Sequence, residues 1–322
     1  MVGRSSKMIQ RVELTVITPC FNEEGGIAKC VEELRKSLSQ YSTLLNYEHL
    51  IIDNDSTDGT ADIVAKLAKD DQKVKLVVNS RNIGASRSIF RALGMAKGDW
   101  VVPMLPADLQ DPPSVIPTFL ENAKRENVDV VYGIRKNRQE SFILRSMREI
   151  YYRAVRRFSN VDMQINAGEF ALINRRVVDA ITSTNDQYPY VRGLIAQTNA
   201  QFSKVEYSWD TRKTGKSKAS PLELIDVAIN GFVSTSQVPA RLALLSGFLL
   251  SSVGIFAGIG YLVATLVFDS QIGTGIPTLI VGFFLISGVQ LFFLGLIGEY
   301  VLSIHKQVKP EPLVYSKREI NF

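Results

Sequence analysis

His49-Leu50-Ile51-Ile52-Asp53-Asn54-Asp55-Ser56-Thr57-Asp58-Gly59-Thr60 is the stretch from which the fold can be read. A short run with apolar residues on both sides of the chain stops at an acid-rich polar turn. A helical pattern, Ile63, Val64 and Leu67, then takes over. That is the signature of a buried strand feeding a helix. The same unit recurs on either side. Leu14 to Thr18 stops at Pro19, passes through Phe21-Asn22-Glu23-Glu24-Gly25-Gly26 and enters a helix marked by Ile27, Cys30, Val31, Leu34 and Leu38. Val74 to Val78 ends at Asn79-Ser80-Arg81-Asn82-Ile83-Gly84, and a helix through Ile89, Leu93 and Ala96 leads to Gly98. Trp100 to Leu105 is the fourth strand and runs into Pro106-Ala107-Asp108-Leu109-Gln110-Asp111-Pro112-Pro113. Strands alternating with helices predict an α/β fold, a mostly parallel sheet with helices on both faces. In such a sheet the polar strand ends meet along one edge and form a single cleft.

Composition divides the chain. It has 322 residues, 46% of them hydrophobic, and a formal net charge of +5. Between Leu242 and Gly298 the only charged residue is Asp269. Leu242 to Phe268 is uncharged for 27 residues, about 40 Å as a helix against a hydrocarbon core of about 30 Å. Two spanning helices, 242–268 and 276–302, joined by a short turn, are expected. The turn has no Lys or Arg, whereas Arg212, Lys213, Lys216, Lys218 and Arg241 flank one end and Lys306, Lys309, Lys317 and Arg318 the other. The positive-inside rule then puts the polar domain on the cytoplasmic side of a multi-pass protein of the cytoplasmic membrane. The expected layout is a catalytic-type domain over 1–219, an amphipathic interfacial segment over 220–240, a hairpin over 241–304 and a tail over 305–322. No signal peptide is read at the N-terminus.

Several classes are excluded. The Gly-x-Gly-x-x-Gly fingerprint is absent, and Gly215-Lys216-Ser217 fails as a P-loop because position 210 is Asp. Cys20 and Cys30 have no zinc spacing and only His49 and His305 to join them, so they read as packing residues.

The strand ends carry the chemistry. Asp53, Asp55 and Asp58 surround one strand–helix turn. One of Ser56, Thr57 and Asp58 is expected to cap the helix, and Asp53 is placed to accept hydrogen bonds from a nucleoside. Asp108 and Gln110 share one side of their loop if it is extended. Their oxygens suit Mg²⁺ or Mn²⁺ held against a diphosphate. Asp111 reads equally well as part of a turn closed by Pro112-Pro113. From Tyr132 to Arg157 there are eight basic residues, with Arg145, Arg148, Tyr152 and Arg156 on one helical face. This stripe could meet nucleic acid, anionic headgroups, a phosphate substrate or only solvent. Beside membrane spans the lipid-side reading is preferred, with no nucleic-acid partner expected.

Taken in order, Pro19 to Glu24, Asp53 with Ser56 to Thr60, Asn82-Ile83-Gly84, Ala107 to Pro113 and Gly215-Lys216-Ser217-Lys218 resemble glycosyltransferase family 2 with its GT-A fold. The nearest branch is similar to dolichol-phosphate mannose synthase and bacterial polyprenyl-phosphate glycosyltransferases. The resemblance implies inverting transfer of one sugar from a nucleotide-sugar to a polyprenyl phosphate. It implies donor contacts from Pro19, Asn22, Glu23, Asp53, Asp55, Asn82 and Gly84, with Arg212, Lys216 and Lys218 closing over the donor. It assigns Asp108 and Gln110 to the metal and diphosphate. It assigns Arg135, Arg145 and Arg148 to the lipid phosphate. The chain departs from the pattern at Pro106, where an acid is usual, at Asn166, often Asp, and near Ser303 and Ile304, where a base is usual. A non-catalytic nucleotide-sugar-binding scaffold and an enzyme with a soluble acceptor are the alternative readings. Gly247, Gly254, Gly258 and Gly260 leave room for close helix contacts and a homo-oligomer.

Overall fold

Parallel pairing starts at the two strands with the longest apolar runs. In the computed structural model, β1 (Leu14–Cys20) lies parallel to β2 (Tyr47–Asp53), with Leu14 opposite Tyr47 and Cys20 opposite Asp53. The structure describes residues 11–41, 46–136, 167–184, 186–208, 245–250, 252–254, 256, 259–260, 263, 275–308 and 314–322. β3 (Val74–Asn79) extends the sheet in parallel beyond β2, and β4 (Trp100–Val102) pairs in parallel with β1 on the other side. Beyond β4 lie β6 (Ala167–Asn174), β5 (Val130–Lys136) and β7 (Phe202–Ser208). The full order is β7-β5-β6-β4-β1-β2-β3-β8, where β8 is Ser316–Ile320. β6 runs antiparallel to both β4 and β5, and β8 antiparallel to β3. The expectation of a mostly parallel α/β sheet is met.

Alternation along the strands sends side chains to two helical layers. Leu14 and Val16 of β1 pack with Leu34 and Leu38 of α1 (Ile27–Ser39) and with Phe119 and Leu120 of α4 (Ile116–Glu126). On the same side, Ile51 and Leu76 meet Val64 and Ala68 of α2 (Thr60–Asp70). Ile17, Leu50, Ile52 and Val77 face the other way. They pack with Ile89 and Leu93 of α3 (Ala85–Met95), Val178 and Ile181 of α5 (Arg175–Thr182), and Ile195 of α6 (Val191–Gln197). Both faces are therefore covered, which is why the central strands are apolar on both sides.

The chain divides into two compact units, one holding this sheet and its helices and the other holding α7 (Gly275–Val308). Helix α7 has 34 residues. Among the described residues no helix is long and apolar enough to cross a membrane. Within α7 several side chains, Gly275 to Thr278 among them, are not described. The expected spans 242–268 and 276–302 are thus not established by the structure. Most of the first, the joining turn and the interfacial segment 220–240 lie outside the described residues. The 305–322 segment, expected as a tail, supplies the edge strand β8.

One buried group sets an acid limit on stability. His49 is 1% exposed, and its Nε2 lies 2.8 Å from Thr18 Oγ1. Burial pushes its imidazole down to about 3, against about 6.5 in an unfolded chain. Below about pH 6.5 the unfolded chain therefore takes up a proton that the folded one refuses, and stability falls as pH falls. The stability of the native chain relative to His49→Gln is expected to drop by about 1.4 kcal/mol per pH unit between pH 6 and 4. Melting curves of both proteins across that range check this; parallel curves would refute it.

Candidate active site

The loops after β1 and β2 are hydrogen-bonded into one surface. Asn22 adopts a left-handed φ of 55°, a conformation that Asn tolerates better than most residues. Its N–H donates to Ser56 Oγ at 2.9 Å, and its Oδ1 accepts the Thr57 N–H at 2.8 Å. The Glu23 N–H donates to Thr60 Oγ1 and the Gly59 N–H to Glu24 Oε2, each at 2.9 Å. Asp53 closes the turn from beneath. It is fully buried, and its two oxygens accept the Ser56 N–H at 2.9 Å and the Ser56 hydroxyl at 2.5 Å. Asp58 accepts the Thr60 N–H at 3.0 Å, but the N-cap of α2 is Gly59 and carries no side-chain cap, so the capping expected of Ser56, Thr57 or Asp58 is not found. Asp55, half-buried with φ 63°, reaches the surface, as does Asp58. Beside Asp53, burial first and the Asp53 carboxylate second push the Cys20 thiol well above its ordinary value. Burial pushes Cys30 up to about 12. Neither thiol is a nucleophile at neutral pH, in line with a packing role.

The β3–α3 turn joins the same edge. Asn79 donates to Asn54 Oδ1 at 2.9 Å, and the Ser88 hydroxyl donates to the same oxygen at 2.5 Å. Asn82 Oδ1 accepts the Gly84 N–H at 2.9 Å. Gly84, at φ 83°, starts α3 with a backbone angle that side-chain-bearing residues rarely adopt.

After β4, the Leu105 N–H returns to Ile17 O at 2.8 Å and holds the chain beside β1. The following residues alternate: Ala107 and Leu109 are buried, while Asp108 and Gln110 are half-exposed. Both proposed ligands are thus half-exposed. The loop is not extended, however. Leu109 has φ 59°, its N–H bonds to Pro106 O at 3.1 Å, and the Gln110 N–H bonds to Asp108 Oδ1 at 3.2 Å. Two hard oxygen donors at the open edge suit a divalent cation that takes its remaining ligands from phosphate and water. Among the described residues no group of three or more His, Cys, Asp or Glu could hold a metal by itself.

Asp111 turns inward to a different task. It is 1% exposed and receives a bidentate fork from Arg135, Nε at 3.0 Å and Nη2 at 2.7 Å. Tyr207 donates its hydroxyl to the same carboxylate at 2.5 Å. Burial alone would lower the Arg135 guanidinium, but the Asp111 carboxylate outweighs it and holds the charge above its ordinary value. Burial, with Asp111 next, pushes the Tyr207 phenol up. A Cβ on Gly133 would lie 2.7 Å from Phe170 O and 2.8 Å from the Tyr207 ring, so only glycine admits this packing. Phe170 meets Tyr207 edge-on at 5.5 Å between ring centroids and Phe119 at a tilt at 5.0 Å. Glu169, half-buried at the start of β6, has its carboxyl raised by burial, against the opposing pull of Arg192 and Arg135. Arg135, expected at a lipid phosphate, is thus half-buried and paired with Asp111 at the end of the Asp108 loop.

The structure gathers Pro19, Asn22, Glu23, Asp53, Asp55, Asn82, Gly84, Asp108 and Gln110 at the carboxyl ends of β1 to β4. Arg145, Arg148, Arg212, Lys216 and Lys218 lie outside the described residues. Asp111, Tyr207 and Glu169 were given no role from sequence. Only Asp111 had a local signal, its place beside Pro112-Pro113.

Residues 15–182 match the family model for glycosyl transferase family 2. The chain belongs to that family. It is 33% identical over 307 residues to an uncharacterized glycosyltransferase, YkcC, of Bacillus subtilis (strain 168), covering 95% of this chain and 94% of the relative. It is 31% identical over 310 residues to the SfII prophage-derived bactoprenol glucosyl transferase of Shigella flexneri, covering 95% and 98%. In fold it resembles a solved mycobacterial protein, with a TM-score of 0.50 at 16% identity over 69% of this chain and 73% of the other. The mixed α/β architecture is of the GT-A kind.

Proposed function

We propose that this chain transfers one sugar, with inversion, from a nucleotide-sugar to a polyprenyl phosphate at the cytoplasmic face of the membrane. The single observation that carries the reading is that Asp108 and Gln110 are both half-exposed in the loop at the carboxyl end of β4. The bactoprenol glucosyl transferase relative, aligned over nearly its whole length, supports the lipid acceptor. Asp108 and Gln110 would hold Mg²⁺ or Mn²⁺, which when bound offsets the charge of the departing nucleoside diphosphate. The turns at Asn22 to Glu24 and Asp53 to Asp58 would seat the nucleoside. The acceptor phosphate has a second pKa of about 6, so its oxygen is already ionised and needs little help from a base.

The membrane reading rests on the two uncharged runs of the sequence, Leu242 to Phe268 and Gly275 to Gly298. Gly275 to Gly298 has no charge over 24 residues, about 36 Å of helix against a core of about 30 Å. Phe283, Leu291 and Phe292 are each exposed by 68–69%, far more apolar surface than a helix in water normally shows. Arg145 and Arg148 would meet the lipid phosphate, and Arg212, Lys216 and Lys218 would close over the donor.

The test is a panel of nucleotide-sugars offered to the full chain with polyprenyl phosphate, unphosphorylated polyprenol or soluble sugars. Product is expected only with the lipid phosphate and a divalent ion. Equal transfer to a soluble sugar would refute the acceptor assignment.

A further inference from the structure

The edge strand β8 makes polar contacts that a mere edge cover does not need. Its sequence, Ser316-Lys317-Arg318-Glu319-Ile320, carries three charges in five residues. Charges of this kind commonly blunt a sheet edge, yet here two cations have partners on the core. Lys317 Nζ lies 2.6 Å from Asp55 Oδ1, and Arg318 Nη1 lies 3.3 Å from Asp62 Oδ1. Asn321 donates to Ala68 O at 2.6 Å and Val74 O at 2.8 Å, fixing the strand against the end of α2. The Ser80 N–H bonds to Tyr315 O at 3.0 Å, and the register shifts between Val78 and Asn79.

Two routes run from β8 to the β2–α2 turn. The first is the Lys317–Asp55 pair. The second begins at Ser316 Oγ, which accepts Arg91 Nη2 at 2.7 Å. Arg91 also bonds Asn79 Oδ1, and Asn79 donates to Asn54 Oδ1 at 2.9 Å. The routes end on adjacent residues, Asn54 and Asp55, next to Asp53. Asp55 is held at φ 63°; a carboxylate in that backbone conformation is kept there by its surroundings.

We propose that β8 is a positioning element of the nucleotide site and that Lys317 is its positioning residue, holding Asp55 so that the 53–58 turn is set for the donor. This rests on the reading that the turn binds a nucleotide. A segment that follows α7 in the chain thereby completes a site built mostly from its first hundred or so residues.

The experiment measures binding of uridine and guanosine diphosphate, with Mn²⁺, to the full chain and its variants, together with donor KM and kcat. Lys317→Ala removes an exposed pair, and such pairs contribute up to about fivefold in an equilibrium. A threefold to fivefold weaker affinity is expected, appearing in donor KM with kcat and lipid KM unchanged. Lys317→Glu, which sets two carboxylates together, should weaken binding by about tenfold, and Lys317→Arg should restore it. Arg318→Ala serves as the control, since its partner Asp62 lies on α2 beyond the turn. It should leave affinity unchanged whatever it does to melting. If Lys317→Ala and Arg318→Ala change affinity equally, or neither changes it, β8 is only an edge cover and the inference is overturned. If the native chain binds neither nucleotide, the reading of the turn as a nucleotide site fails and this inference goes with it.

Discussion

Asp108→Asn is expected to lower sugar transfer by about a thousandfold, close to 4 kcal/mol of transition-state stabilisation, while the protein melts as before. The prediction separates charge from shape. Asp108 Oδ1 accepts the Gln110 N–H at 3.2 Å, and an asparagine oxygen can accept it equally well. The loop should therefore keep its turn through Leu109 and lose only a negative charge at a half-exposed position. Pro106 leaves Asp108 as the one carboxylate of this loop on the open side, because Asp111 is consumed by Arg135 and Tyr207. Turnover near the native value would sink the metal assignment.

Asp111→Ala should act in the opposite way, through stability. It strands a half-buried guanidinium and a buried phenol that now share one carboxylate. Breaking a buried pair from one side costs about 3–5 kcal/mol, or on the order of 10 °C in melting temperature for a domain of this size. The companion Arg135→Met with Asp111→Leu removes both charges together and should recover part of the loss. A double variant no more stable than Asp111→Ala would show that the ion pair is not what holds the loop. Activity should fall in Asp111→Ala as well, because Asp111 anchors the segment that carries Asp108.

The parallel half of the sheet was legible for a physical reason. β1 to β4 are covered on both faces, so apolar residues point to both sides, and each strand stops at a polar turn. β8 was not legible because a charged edge strand needs no burial. It is fixed instead by acids 262 and 256 residues away, at Asp55 and Asp62. The site divides in the same way. That Asp108 and Gln110 stay accessible was readable from the polar run after β4, but not the turn through Leu109 that carries them. That Asp111 turns inward was open, since its partners Arg135 and Tyr207 stand 24 and 96 residues further on. The same distance hides the fate of Arg135, a lone cation after a strand in the sequence and a forked pair in the fold. Asp53 shows the limit of motif reading. Its carboxylate is wholly buried and occupied by Ser56, so its first effect on a donor is through the shape of the turn.

The most direct measurement is mass analysis of the lipid formed when the full chain is given a labelled nucleotide-sugar, Mg²⁺ or Mn²⁺ and undecaprenyl phosphate. The account predicts a single species heavier than the acceptor by one sugar residue, joined through the phosphate and absent with Asp108→Asn. A lipid bearing several sugars, or label released only as free sugar whatever the donor and metal, would contradict it.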